Sequence, residues 1–119
     1  MNDSTTTVEE LKRKMLAFAD ERDCGQFHTP KNLSMALAVE AAELMELFTW
    51  VDTQESKQTM ETQREAIEHE VADVAAYLLA LCGRYNIDLA SAFERKMELN
   101  SRKYPVEKAK GRYTKYTQL

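Results

Sequence analysis

The 119-residue sequence contains few of the residues that break helices and form turns. It has three glycines and two prolines, and a chain so short of both rarely forms many short strands joined by tight turns. No apolar run approaches the roughly 20 residues that a membrane-spanning helix needs. The first residues have neither the basic flank nor the apolar stretch of a signal peptide. We therefore expect a soluble, cytoplasmic protein built from a few long helices.

Cysteine and histidine are also scarce. Cys24 and Cys82 have no CxxC spacing, which favours reduced thiols in or near the core. With only His28 and His69 besides, a zinc site of the Cys/His kind has little to build on.

The net charge is −4, and the charges are unevenly distributed. A protein that coats nucleic acid is expected to carry a basic patch, so we expect no nucleic-acid partner. The basic residues concentrate in a C-terminal tail from about residue 103, which contains Lys103, Lys108, Lys110, Arg112 and Lys115. A tail of this kind is typical of a solvated terminus. Near a metal-bound polyphosphate, it is alternatively a candidate clamp.

The spacing of apolar residues predicts four amphipathic helices. A period of 3.6 residues places apolar side chains on one arc of a helix. The pattern covers residues 7–22, 30–51, 58–85 and 88–102, with a polar link at 52–57. Thr29 and Asp88 are suitable caps for the second and fourth helices, and Pro30 suits a first helical position.

Four helices with short connections predict an all-α fold of the four-helix bundle type. The length suits a single domain, residues 1–119. A chain of this size buries less surface per residue than a larger one, which favours assembly as a homo-oligomer. In the first helix the apolar stripe contains Val8, Leu11, Met15, Phe18 and Ala19.

Two pairs of carboxylates stand inside the apolar arcs of the second and third predicted helices. Glu40 and Glu43 are three residues apart, as are Glu70 and Asp73. Glu40 and Glu70 fall in the middle of their arcs, and the other two acids lie at the edges. Burial of an ionised carboxylate without a partner costs several kcal/mol, so four acids on two facing stripes require cations. The pattern predicts a divalent metal site.

The ligand types indicate which metal is expected. Oxygen-only ligation suits a hard ion, Mg²⁺ or else Mn²⁺, and Mg²⁺ held by a few carboxylates keeps positions for water and substrate phosphates. A di-iron bundle site uses Glu-x-x-His pairs, which neither acid pair provides. The sequence therefore favours Mg²⁺.

The fourth predicted helix carries two further polar residues on its apolar side. Lys96 and Asn100 are one turn apart and share a face with Phe93 and Met97. A structural explanation is that Lys96 extends its amine to water and Asn100 bonds a backbone group. Beside four acids, the alternative is that Lys96 contacts phosphate and Asn100 reads a sugar or a base.

Several segments resemble the MazG-like, all-α nucleotide pyrophosphohydrolases, and most closely their dCTP-pyrophosphatase branch. The family has an ExxE helix followed by an ExxD helix, matched here by Glu40-Ala-Ala-Glu43 and Glu70-Val-Ala-Asp73. Further matches follow in order at residues 26–33 (QFHTPKNL), 43–50 (ELMELFTW), 96–100 (KMELN) and 104–105 (YP). The similarity extends from about residue 8 to the C-terminus.

This resemblance implies a homo-oligomeric helical bundle, often a tetramer, that binds Mg²⁺. It also implies hydrolysis of a nucleoside triphosphate to the monophosphate and pyrophosphate. By matching motif, the metal ligands would be Glu40, Glu43, Glu70 and Asp73. The substrate contacts would be Tyr77, Lys96 and Asn100, with Trp50 as a base-pocket aromatic and His28 as a neighbour of that pocket.

Two positions depart from the dCTP-preferring relatives. Those relatives carry a histidine where Met15 stands and a tryptophan where Cys24 stands, and both are associated with the base pocket. Stacking on an aromatic side chain is worth roughly 1 to 3 kcal/mol per base. The expected substrate is dCTP or a modified dCTP, and the alternative is a broader house-cleaning activity on non-standard nucleotides.

The expected reaction is metal-assisted attack of water on the α-phosphorus. Glu43, at the edge of its arc, is the candidate catalytic carboxylate that receives the proton of the water. Lys96 would stabilise charge on the phosphates. An alternative of another class is a non-catalytic helical adaptor whose acids bind a structural cation or a basic partner.

Overall fold

The computed structural model describes all 119 residues and is helical throughout. Its helices are α1 (Val8–Glu21), α2 (Pro30–Glu46), α3 (Thr53–Thr62), α4 (Arg64–Arg84), α5 (Leu89–Lys103) and α6 (Val106–Ala109). Short 3₁₀ turns occur at Gly25–Phe27 and Tyr116–Gln118. The predicted all-α class is confirmed. None of the helices is long and apolar enough to cross a membrane.

The helix boundaries differ from the prediction on both sides of the link at 52–57. The second helix ends at Glu46 instead of residue 51. The predicted link is wrong, because Asp52 caps α3: its carboxylate accepts the N–H of Glu55 at 2.8 Å. The predicted helix at 58–85 is two helices separated at Gln63. The Thr59 hydroxyl donates to the Glu55 carbonyl at 3.0 Å in α3, a local bond that tends to bend helices.

Helix caps that the sequence predicts are present. The Thr29 hydroxyl accepts the N–H of Asn32 at 3.1 Å, and Pro30 occupies the first position of α2. The Asp88 carboxylate accepts the N–H of Ser91 at 2.9 Å at the start of α5. Each side chain satisfies a backbone donor that has no partner within the helix.

The chain divides into two compact units, Met1–Asn86 and Ile87–Leu119. In the first unit, α4 packs against α1, α2 and α3. Its core contains Ala19, Leu33, Ile67, Ala80 and Cys82. Gly83 allows α1 to approach α4 closely, because an added Cβ would lie 2.9 Å from a Leu16 methyl carbon.

In the second unit, the tail after α5 packs on the end of that helix. The rings of Tyr104 and Tyr116 meet edge to face with centroids 5.9 Å apart. The amine of Lys103 lies 4.8 Å from the centroid of the Tyr116 ring, within the range of a cation–π contact. Gly111 supplies the left-handed backbone, at φ 76°, for the turn between them.

The core residue Leu33 provides a test of the first unit. Its side chain is 1% exposed, and truncation of a buried leucine leaves a cavity that costs about 2 to 5 kcal/mol. We expect Leu33→Ala to lower the free energy of unfolding by that amount in urea denaturation. The control is Met45→Ala on the same helix, since Met45 is 67% exposed and should change stability by about 0.5 kcal/mol or less. Equal losses would contradict the packing.

Candidate functional site

Three carboxylates meet where α2 packs on α4. Glu40 and Glu43 lie one turn apart on α2, and each places a carboxylate oxygen within 4.8 Å of one on Glu70 of α4. At the other end of the same pair of helices, the Tyr85 hydroxyl donates to the His28 carbonyl at 2.8 Å. These two contacts show that α2 and α4 run antiparallel. The predicted meeting of the two acidic stripes is therefore found for three of the four acids.

The fourth acid, Asp73, lies close enough to act on this cluster electrostatically. It is exposed, and its charge raises the pKa of both Glu40 and Glu70. It stands one turn after Glu70 on α4, at the edge of the acid stripe as its spacing predicts.

The environment of the cluster disfavours negative charge. Loss of water raises the pKa of Glu40 most, and the neighbouring Glu43 raises it further through a hydrogen bond and its charge. Desolvation also raises the pKa of Glu70, followed by the charge of Glu43. One oxygen each of Glu40 and Glu70, Oε2, is buried without a hydrogen-bond partner. Buried acceptors of this kind are uncommon in folded proteins and call for a partner.

A hard divalent cation fits this donor set. The cluster offers carboxylate oxygens only, which are the ligands that Mg²⁺ and Mn²⁺ prefer. A cation would satisfy the unpartnered oxygens of Glu40 and Glu70 and offset the mutual repulsion of the acids. Glu43 is exposed, whereas the other two glutamates are half-buried, so its carboxylate is the one that faces water.

A groove of about 550 Å³ lies between α1 and α4 and includes Asp73 in its lining. Its volume is within the range of small-molecule sites. The other residues that matter here are Lys14, Met15 and Phe18 from α1, and Ala76 and Tyr77 from α4. Of the four predicted metal ligands, Asp73 is therefore the one that shares this groove with Tyr77 and Met15.

The end of α1 and the connection to α2 both contact the C-terminal end of α4. An ion pair joins Asp20 to Arg84 at 2.7 Å, next to Gly25, where an added Cβ would lie 2.9 Å from the guanidinium. Within this connection His28 is half-buried, and its Nδ1 has no partner. Burial lowers the pKa of His28, as does the charge of Arg84, so the imidazole is neutral at pH 7. A neutral ring suits contact with a base better than contact with phosphate.

Trp50 and His28 are not brought together within one chain. Trp50 follows the C-terminal end of α2 and is 94% exposed, whereas His28 precedes its N-terminal end. The 17 residues of α2 span about 25 Å. A single base pocket that contains both side chains would therefore need two chains.

Lys96 and Asn100 lie on α5 in the second unit. They are one turn apart, with Lys96 exposed and Asn100 half-buried. The shared face predicted from their spacing is present, and their contacts with a substrate stay predictions.

The groove is lined by Phe18, which the apolar periodicity of α1 predicts in the core. The apolar stripe of α1 predicts Phe18 in the core, but this side chain is 54% exposed and lines the groove. Of the predicted stripe only Ala19 is buried. The available signal was Arg22, four residues after Phe18: its guanidinium carbon lies 3.9 Å from the ring centroid.

Comparison with known proteins gives matches over most of the chain. The model of the MazG-like family matches residues 35–119. The dCTP pyrophosphatase 1 of Mus musculus is 44% identical over 95% of this chain and 68% of its own length. The Bos taurus protein of the same name is 42% identical over 98% of this chain and 70% of its own.

A solved structure is similar as well. The crystal structure of a pyrophosphatase from Archaeoglobus fulgidus superposes with a TM-score of 0.80 at 40% sequence identity. The match covers 88% of this chain and 98% of that one.

The raised pKa values predict how stability of the metal-free protein depends on pH. An acid whose pKa is raised by folding destabilises the folded state once it ionises. We expect Glu40→Gln and Glu70→Gln to raise the melting temperature at pH 7.5 without metal. The gain should shrink as pH falls toward 4.5, the usual pKa of the side chain. Glu65→Gln, at an exposed position of α4, is the control, and an equal gain there would contradict the prediction.

Proposed function

The chain belongs to the MazG-like family and is a nucleotide pyrophosphohydrolase, and we propose that it uses Mg²⁺ to convert dCTP or a modified dCTP to the monophosphate and pyrophosphate. The observation that carries this proposal is the cluster of Glu40, Glu43 and Glu70, with carboxylate oxygens within 4.8 Å of one another, beside a groove that includes Asp73. The proposed ligand Asp73 thus lines a cavity that would hold the nucleoside.

The choice of substrate rests on the similar proteins and on the groove. Two relatives named dCTP pyrophosphatase 1 are 42% and 44% identical to this chain. Met15 lines the groove, at a position where the family resemblance implies a histidine. A flexible, apolar side chain adapts to different shapes, which favours a second candidate function: house-cleaning hydrolysis of several non-standard nucleotides.

The site residues divide into metal ligands and substrate contacts. Glu40, Glu43, Glu70 and Asp73 would hold Mg²⁺, with Mn²⁺ as a substitute of the same ligand preference. When bound, the ion neutralises charge on the triphosphate and makes water a better nucleophile at neutral pH. Tyr77, one turn after Asp73 on α4, lines the groove beside the expected position of the sugar.

The reaction is an in-line displacement at the α-phosphorus. The oxygen of water forms a bond to phosphorus as the bond to the departing pyrophosphate oxygen breaks. Glu43 takes the proton of the water, because it is the exposed member of the cluster and can reach a water at its open side. The family motif would assign Lys96 to the phosphates and Asn100 to the sugar or base.

The proposed base pocket is formed by two copies of the chain. Trp50 is 94% exposed and separated from His28 by the length of α2, so we assign it to the base pocket of a second chain. Met35 and Val39, one turn apart on α2, are also largely exposed, and apolar surface of this kind is typical of protein interfaces. We propose a homo-oligomer, a dimer or a tetramer. Its free thiols, Cys24 and Cys82, suit the reducing cytoplasm.

The proposed activity is tested by a screen for pyrophosphate release. Purified protein is assayed with Mg²⁺ against dCTP, 5-methyl-dCTP, dUTP, dTTP and a purine triphosphate. We expect release only with metal present, and a loss of about 100-fold or more in kcat/KM for Glu40→Gln and Glu70→Gln, because each removes a metal ligand. The exposed Glu65→Gln should retain parental activity.

Two results would overturn the proposal. Parental turnover in Glu40→Gln at saturating Mg²⁺ would remove the cluster from the reaction. If no triphosphate were hydrolysed and Mg²⁺ alone raised the melting temperature as much as Mg²⁺ with a non-hydrolysable triphosphate, the acids would bind a structural cation. These results would favour the non-catalytic adaptor over the enzyme.

The shared pocket predicts that two impaired variants complement each other. Trp50→Ala should raise KM about tenfold or more, because stacking on the base is lost, and Glu43→Gln should lower kcat. Co-expression of the two with different tags yields mixed oligomers in which one site combines an intact Trp50 with an intact Glu43. Activity of the isolated mixed oligomer should exceed that of either variant.

The matched control mixes Glu40→Gln with Glu70→Gln, whose acids belong to one chain's cluster and should not complement. A mixed oligomer no more active than its parents would place Trp50 outside the partner's pocket. A monomer in light scattering at micromolar concentration would also contradict the assembly.

A further inference from the structure

Phe18 presents an aromatic ring at the surface of the groove between α1 and α4. The side chain is 54% exposed, although burial of a phenylalanine would stabilise the fold by about 1.5 to 3 kcal/mol. The guanidinium of Arg22 lies 3.9 Å from the ring centroid, and its Nη1 donates to the Phe18 carbonyl at 3.0 Å. Arg22 therefore covers one side of the ring and holds it against the helix.

The groove extends along α4 away from the acid cluster. Asp73, at the acid cluster, and Leu79 both line the groove on α4. Their six residues of separation correspond to about 9 Å along the helix, with Tyr77 between them. Phe18 lines the same groove from α1. A nucleotide whose triphosphate lies at the acids would therefore place its sugar and base in the part of the groove that Tyr77 and Phe18 line.

The remaining aromatic residues of the first unit are less suited to this place. Phe27 is 60% exposed but does not line the groove, and Trp50 lies beyond the opposite end of α2. Phe18 is thus the aromatic side chain that this chain itself supplies to the groove besides Tyr77.

We propose that Phe18 is the stacking wall for the base of the nucleotide and that Arg22 is its positioning residue. The inference rests on the proposed function and names a substrate contact that its motifs do not include. A ring fixed by Arg22 loses little further freedom on binding, so more of the stacking energy is available for affinity. Every base has a π-face, so the wall binds pyrimidines and purines, and the groove around it selects among them.

The test compares nucleotides with a ligand that has no base. Phe18→Leu should raise KM at least fivefold for nucleoside triphosphates and change kcat less than twofold. Inorganic triphosphate, used as a competitive inhibitor, should keep its inhibition constant, because it reaches only the acid cluster. Phe18→Tyr should restore the parental KM. The matched control is Phe27→Leu, an equally exposed phenylalanine outside the groove, which should leave KM unchanged.

The positioning role of Arg22 has its own readout. Arg22→Met should raise KM for nucleotides by a smaller factor than Phe18→Leu, and the double variant should be no worse than Phe18→Leu alone, because Arg22 acts through the ring. Arg22→Lys, which keeps a cation over the ring, should recover most of the loss. Arg13→Met is the control, since Arg13 pairs with Glu9 on α1.

A binding measurement keeps the proposal testable if Phe18→Leu does not fold. The chain has one tryptophan, so Phe18→Trp in a Trp50→Phe background reports from the groove alone. Its fluorescence should be quenched by a non-hydrolysable nucleotide with Mg²⁺ and not by inorganic triphosphate. No quenching at a nucleotide concentration that still raises the melting temperature of this variant, or a parental KM in Phe18→Leu, would overturn the stacking assignment while the protein still releases pyrophosphate. A change in oligomeric state with KM intact would instead make the groove a contact between chains.

Discussion

The packing of α2 on α4 brings three carboxylates together, and the stability of the first unit depends on how their repulsion is offset. Negative charge on Glu40, Glu43 and Glu70 lowers the stability of the folded state, because the three carboxylates are close together and two of them are half-buried. The apolar contacts of Leu33, Ile67 and Ala80 have to offset that cost in the absence of metal. The empty cluster is therefore unfavourable, and the proposed cation would gain affinity from the relief of repulsion.

The parts of the structure that the sequence predicts are those set by local rules. Thr29 and Asp88 cap their helices because the hydrogen bonds involve residues three positions away. Glu40 and Glu70 stand within apolar arcs, and the phase of a helix decides which side chains share a face. That is why the meeting of the two acid stripes could be predicted before their distance was known.

The parts that could not be predicted depend on tertiary contacts. No glycine or proline marks the break at Gln63, so the long apolar pattern continues across it. Phe18 has the spacing of a core residue, but periodicity does not distinguish a buried stripe from the wall of a groove. Trp50 matches a family motif for the base pocket, whereas its distance from His28 depends on the length of α2.

The antiparallel register of α2 and α4 also fixes where the chain tolerates change in length. Glu70 and Asp73 lie in the first half of α4, and Arg84 and Tyr85 lie at its C-terminal end. The length of α4 therefore sets the distance between the acid cluster and the contacts that Arg84 and Tyr85 make with Asp20 and His28. A single inserted residue would rotate everything beyond it by about 100° and separate the acids from the pinned connection. Natural variation in length should therefore avoid the part of α4 between Asp73 and Arg84.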